Sequence, residues 1–75
     1  MREQMQWFAE QMESKLKEND HKGGWDNCGI FWLRNRLVEE VEELSSAMEA
    51  GHNSEASDVA NFAMMIADKA RKRLA

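Results

Sequence analysis

Ile30-Phe31-Trp32-Leu33-Arg34-Asn35-Arg36-Leu37-Val38-Glu39-Glu40-Val41-Glu42-Glu43-Leu44-Ser45-Ser46-Ala47-Met48 is the stretch on which the fold turns. Within it, Ile30, Leu33, Leu37, Val41, Leu44 and Met48 recur at alternating intervals of 3 and 4, the seam of a bundle helix. Gly29 and Gly51 bracket the run, so a helix is predicted to begin near the first and end at the second. Downstream, Asn53 or Ser54 can cap a further helix whose apolar face is Val59, Phe62, Ala63, Ile66 and Ala70. Lys69, Arg71, Lys72 and Arg73 close that helix favourably against its dipole. Upstream, Met5, Phe8, Ala9, Met12 and Leu16 give an amphipathic helix over residues 2–18. Residues 19–27, rich in Asn, Asp and Gly, form the connecting loop.

Proline is absent and glycine occurs only at positions 23, 24, 29 and 51, which leaves three uninterrupted helical segments. The expected fold is therefore all-α, one domain over residues 1–75, a three-helix chain forming an oligomeric helical bundle of the four-helix type. With 43% hydrophobic residues in a chain this short, the core is thin, and the single Cys28 allows no internal disulfide. Stability is then expected from self-association as a homodimer or homotetramer. Trp7, Phe8, Phe31, Trp32, Met64 and Met65 exceed what one internal stripe can hide, and some of them are expected to face another subunit. Cys28 reads as a small buried residue near a helix start. No apolar run approaches the roughly 20 residues of a membrane span, and the N-terminus lacks the layout of a signal peptide. A cytoplasmic location is expected. The net charge of -4 argues against binding a nucleic-acid polymer, which normally requires a basic face.

The acid is concentrated. Glu39, Glu40, Glu42 and Glu43 lie within five residues, a pattern that most simply makes a solvated acidic face. At about 100° per residue, however, Glu40 and Glu43 border the apolar stripe while Glu39 and Glu42 turn toward solvent. Glu55 and Asp58, also three apart, sit at the edge of the next helix's stripe. Eleven residues separate the two pairs, and a tight turn at Gly51 makes the helices antiparallel, so four carboxylates can converge at one end of the hairpin. Repulsion among them is relieved by protonation or by a cation. An all-oxygen set favours Mg2+ or Mn2+ over zinc, and the absence of Glu-x-x-His sets aside a ferritin-like di-iron site. Mg2+ on few carboxylates normally completes its shell with water and substrate phosphate.

Glu40-Val41-Glu42-Glu43-Leu44 followed by Glu55-Ala56-Ser57-Asp58-Val59, continuing as Ala60-Asn61-Phe62, is similar to the paired Glu-x-x-Glu and Glu-x-x-Asp motif of the MazG-like all-α nucleoside triphosphate pyrophosphohydrolases. The resemblance runs from about Lys22 to Asp68. It implies Mg2+-dependent hydrolysis of a (d)NTP between the α and β phosphates, yielding (d)NMP and diphosphate. Glu40, Glu43, Glu55 and Asp58 would be the metal ligands and catalytic carboxylates, one of them orienting the attacking water.

Further candidates surround that core. Trp25 either stacks on a base or covers the bundle end, and in the resembled family loop residues before the first motif help to bind the nucleotide. Lys22 either meets a phosphate or is solvated, and His21 carries a weaker signal. Asn61, one turn beyond Asp58, suits a hydrogen bond to sugar, phosphate or a metal-bound water. Asp68 continues that edge, or pairs with Arg36 or Arg71. Arg36, one turn before Glu40, binds phosphate or offsets the glutamates. Two other readings stand beside the enzyme: a non-catalytic helical module that binds a partner through its exposed aromatics, and a nucleotide-binding module without turnover.

Overall fold

The computed structural model describes residues 1–20, 23–51 and 54–74. Three helices account for most of them: α1 (Glu3–Glu18), α2 (Ile30–Glu49) and α3 (Glu55–Leu74), with no strand among the described residues. Each boundary lies within two residues of its expected place, because the chain's own chemistry stops the helices there. Gly29 holds an extended backbone, and its carbonyl accepts the first ladder bond from Leu33 N–H at 3.0 Å. Gly51 takes φ +83°, the left-handed conformation that ends helices and that glycine adopts without steric cost, and its N–H bonds Met48 O at 3.0 Å. Asn19 closes α1 twice over, bonding Leu16 O through its backbone N–H and Lys15 O through its side chain. The Ser54 carbonyl accepts from Ser57 N–H at 3.3 Å, while the other expected cap, Asn53, lies outside the described residues.

α3 is the centre. α2 packs along one side of it and α1 along another, and α1 and α2 make no close backbone approach to each other. The helices therefore pack as a bundle with α3 as the shared wall. No helix among the described residues is long and apolar enough to cross a membrane.

The expected thin core is thinner still. Leu33, at 0% exposure, is the one fully buried hydrophobic side chain among the described residues. Ile30, Leu37 and Leu44 of the predicted seam are half-buried, but Val41 and Met48 stand 44% and 61% exposed. The reason is rotational: α2 turns Leu33 and Glu40 toward α3, and a neighbour of Glu40 points about 100° away. Charge thus takes an inward position that the apolar spacing assigned to Val41. On α3, Ala63 and Ala70 are exposed, while the polar Ser57 and Asn61 are buried between the helices. α1 buries no residue completely, and Met5 of its predicted apolar face is exposed. Phe8, Met64 and Met65 are half-buried, leaving Trp7, Phe31 and Trp32 as the exposed aromatics. Cys28 is half-buried.

With so little apolar volume enclosed, truncating Leu33 removes contacts that nothing replaces. Leu33→Ala is expected to cost about 3 kcal/mol, read by urea denaturation followed by circular dichroism. A cost below about 1 kcal/mol would mean that the core is elsewhere.

Candidate functional site

A cleft of about 430 Å3 opens between α1, α2, α3 and the loop before α2. Its apolar walls include Trp25, Trp32, Phe62 and Met65, and its polar groups are Lys15, Asn19, Asp20, Arg36, Asp58 and Asn61. The size suits a small organic ligand, and the aromatic faces beside paired charges suit one that has both a flat ring and polar groups.

Glu40 is the unusual group. Its side chain projects from α2 into the packing against α3 and is 5% exposed. Arg36, one turn earlier, donates to Glu40 Oε1 at 2.9 Å and also pairs with Glu39, while its guanidinium lies 5.2 Å from the centre of the Phe62 ring. Arg36 therefore offsets the glutamates, one of its two expected roles. Glu40 Oε2 is buried with no hydrogen-bond partner. Burial, together with the carboxylates of Glu43 and Asp58, pushes the Glu40 pKa up against the pull of Arg36. A buried carboxylate oxygen without a donor is costly, and ligation of a cation is one way to relieve it.

The four predicted carboxylates divide. Glu43 and Asp58 each lie close enough to Glu40 to act on it electrostatically. Glu55, whose carboxylate accepts from the Ser54 hydroxyl at 3.1 Å, shares a shallow open depression with Glu39, Glu42, Glu43 and Ser46. Glu43 is thus the member common to both places. Among the described residues no group of three or more His, Cys, Asp or Glu side chains is gathered at ligand spacing. The donor chemistry fits Mg2+, since every candidate is a hard oxygen and one is an unpaired buried oxygen.

Asp58 has a neighbour that sequence reasoning missed: Lys15 of α1, with Nζ 3.6 Å from Oδ2. Nothing local marks Lys15, because only the docking of α1 on α3 brings it there. Trp32, one of the six residues of which some are expected to face another subunit, walls the cleft and is 53% exposed. Asn61 bridges helices, donating from Nδ2 to Met12 O at 3.0 Å, and its buried Oδ1 is unpartnered. Lys22 and His21 lie outside the described residues.

Asp68 is fully engaged. It accepts from the Trp25 indole N–H at 2.9 Å, from Arg71 at 2.8 Å and from Lys72 at 2.9 Å; of the two arginines expected as partners it takes Arg71. Trp25 is therefore held by its N–H while its ring walls the cleft. Asp26 reinforces the same attachment, accepting Lys69 Nζ at its carbonyl and Lys72 Nζ at its carboxylate, both at 2.9 Å. These bonds tie the loop to the last turns of α3.

Compared with family models, with curated proteins and with solved structures, the chain finds no match in any of the three.

Hydrogen bonds from Lys72, Trp25 and Arg71 hold the Asp68 carboxyl well below its ordinary range. Its folded value is below its unfolded value, so its contribution to stability is complete above about pH 4 and is lost as pH falls toward the folded value. Lys72, raised by Asp68 and then by Asp26, contributes below its unfolded value of about 10 and loses that as pH climbs through the folded one. Asp68→Asn is accordingly expected to melt below the unsubstituted chain at neutral pH, with the gap closing under acid. A gap of constant size down to about pH 2 would remove the charge argument.

Proposed function

We propose that this chain is an Mg2+-dependent nucleoside triphosphate pyrophosphohydrolase, converting a (d)NTP and water to (d)NMP and diphosphate. The observation that carries the reading is the buried Glu40 carboxylate, with an unpartnered oxygen, acted on by Glu43 and by Asp58, the last of which also lines the cleft walled by aromatic rings. The likeness of Glu40-x-x-Glu43 and Glu55-x-x-Asp58 to the paired motif of MazG-like enzymes supports it from the sequence side.

In this reading Glu40, Glu43 and Asp58, with Glu55 from the neighbouring depression, hold the metal. Mg2+ held there would supply neutralisation of the triphosphate charge and of the charge on the leaving diphosphate. The chain's own groups do the rest. A water oxygen bonds to the α phosphorus as the bond to the α–β bridging oxygen breaks, and the bridging oxygen leaves with the diphosphate. One carboxylate orients that water and takes its proton. Trp25 and Trp32 offer faces for the base, and Asn61 offers its free Oδ1 to a donor on the ligand. Lys15, paired with Asp58 at 3.6 Å, brings a cation to the acidic edge where phosphates would lie. Self-association and a cytoplasmic location belong to the same proposal.

A second reading is favoured by one observation: among the described residues the carboxylates are not gathered as a ligand set. It makes the chain a nucleotide-binding module that holds its ligand without turnover.

Diphosphate release from the eight common NTPs and dNTPs, with Mg2+, Mn2+ or excess EDTA, separates the two. Metal-dependent release is expected, with Glu43→Gln and Asp58→Asn each lowering kcat/KM on the order of 100-fold. Unchanged turnover in both variants contradicts the assigned site, and nucleotide affinity without product establishes the binding module.

A further inference from the structure

α2 carries a second stripe that the packing against α3 leaves bare. Phe31, Arg34, Val38, Val41, Ser45 and Met48 follow at intervals of 3, 4, 3, 4 and 3, the spacing of a coiled-coil seam. Four of the six are apolar, and Phe31, Val38, Val41 and Met48 are 69%, 52%, 44% and 61% exposed. The stripe is centred roughly 130° around the helix from Glu40, away from the cleft. Val41 and Met48, displaced from the core by the inward turn of Glu40, are half of its apolar content.

We infer that this face pairs with the same face of a second copy, in antiparallel register, about a two-fold axis between Val38 and Val41. Area supports a protein partner: the chain exposes 5829 Å2, where a folded monomer of its mass normally exposes roughly 4,700 Å2. The excess, roughly 1,100 Å2, is comparable to the ~800 Å2 that each partner buries in a standard interface.

Charge selects self-pairing and its direction. Arg34 lies in the first half of the stripe, held over the Phe31 ring at 5.3 Å, and Glu42 and Glu49 flank the second half. Among the described residues none of the three takes part in an ion pair. Parallel pairing sets arginine on arginine and glutamate on glutamate. Antiparallel pairing sets Phe31 on the partner's Met48 and Val38 on the partner's Val41. It also sets Arg34 on the partner's Ser45, one turn from both the partner's Glu42 and the partner's Glu49. The contact is isologous, as a closed two-fold dimer requires. It deepens the self-association proposed above and is independent of the nucleotide chemistry, so a chain silent toward every triphosphate leaves it standing.

Light scattering on the unmodified chain is expected to give twice the 8.7 kDa monomer mass, and a monomeric mass overturns the proposal. The register is read by cross-linking in a Cys28→Ser background, which removes the native thiol. Phe31→Cys combined with Met48→Cys is expected to give a covalent dimer on mild oxidation, while either change alone gives none, because like positions lie about 25 Å apart in the antiparallel pair. Dimers from either single variant mean parallel pairing, and no dimer from any variant of a chain that is dimeric by mass means another face; both overturn it. Arg34→Glu is expected to weaken dimerisation at least 10-fold, and adding Glu42→Arg and Glu49→Arg to restore it. An Arg34→Glu chain as dimeric as the original removes the charge argument.

Discussion

The contact on which the rest depends is the junction of α2 with α3 around Leu33, Arg36 and Glu40. Leu33 supplies the fully buried apolar contact, and Arg36 spans the gap, lying over the Phe62 ring while it neutralises Glu40. Without that guanidinium the carboxylate would enter the interface unpaired, at a cost a core this small cannot absorb. With it, α2 keeps Glu40 inward, and two consequences follow from one helical rotation. A carboxylate is buried between α2 and α3, and Val41 and Met48 turn outward.

The site and the bare stripe are thus opposite faces of the same decision. The inward face holds acid beside aromatic walls, a combination suited to a cation and an anionic, ring-bearing ligand. The outward face holds apolar residues with opposite charges toward its two ends, a combination suited to its own copy. α3 joins them, since its first turn supplies Glu55 and Asp58 and its last turns anchor the loop that carries Trp25.

Helix number and limits were legible because they rest on local chemistry: glycine at 29 and 51, apolar spacing within each segment, and a polar loop between residues 19 and 27. The rotation of α2 was not, because Leu33-Leu37-Leu44 serves either an inward Val41 or an inward Glu40, and the contact that distinguishes them, Arg36 over the Phe62 ring, lies between helices. Glu40, Glu43 and Asp58 were legible as neighbours from spacing alone, whereas the position of Glu55 in a separate depression depends on side-chain placement across the turn. Lys15 beside Asp58 and Asn61 on Met12 O required knowing that α1 docks on α3, a contact between residues 43 and 49 positions apart. Asp68 was legible as a pairing residue, but its bond to Trp25, across 43 positions, was not.

The most direct test of the central claim is the fate of oxygen in water labelled with the heavy isotope, followed by mass spectrometry of the products with Mg2+ present. The account requires the label on the nucleoside monophosphate, from attack at the α phosphorus. Label on the diphosphate, or the absence of any metal-dependent product, would contradict it.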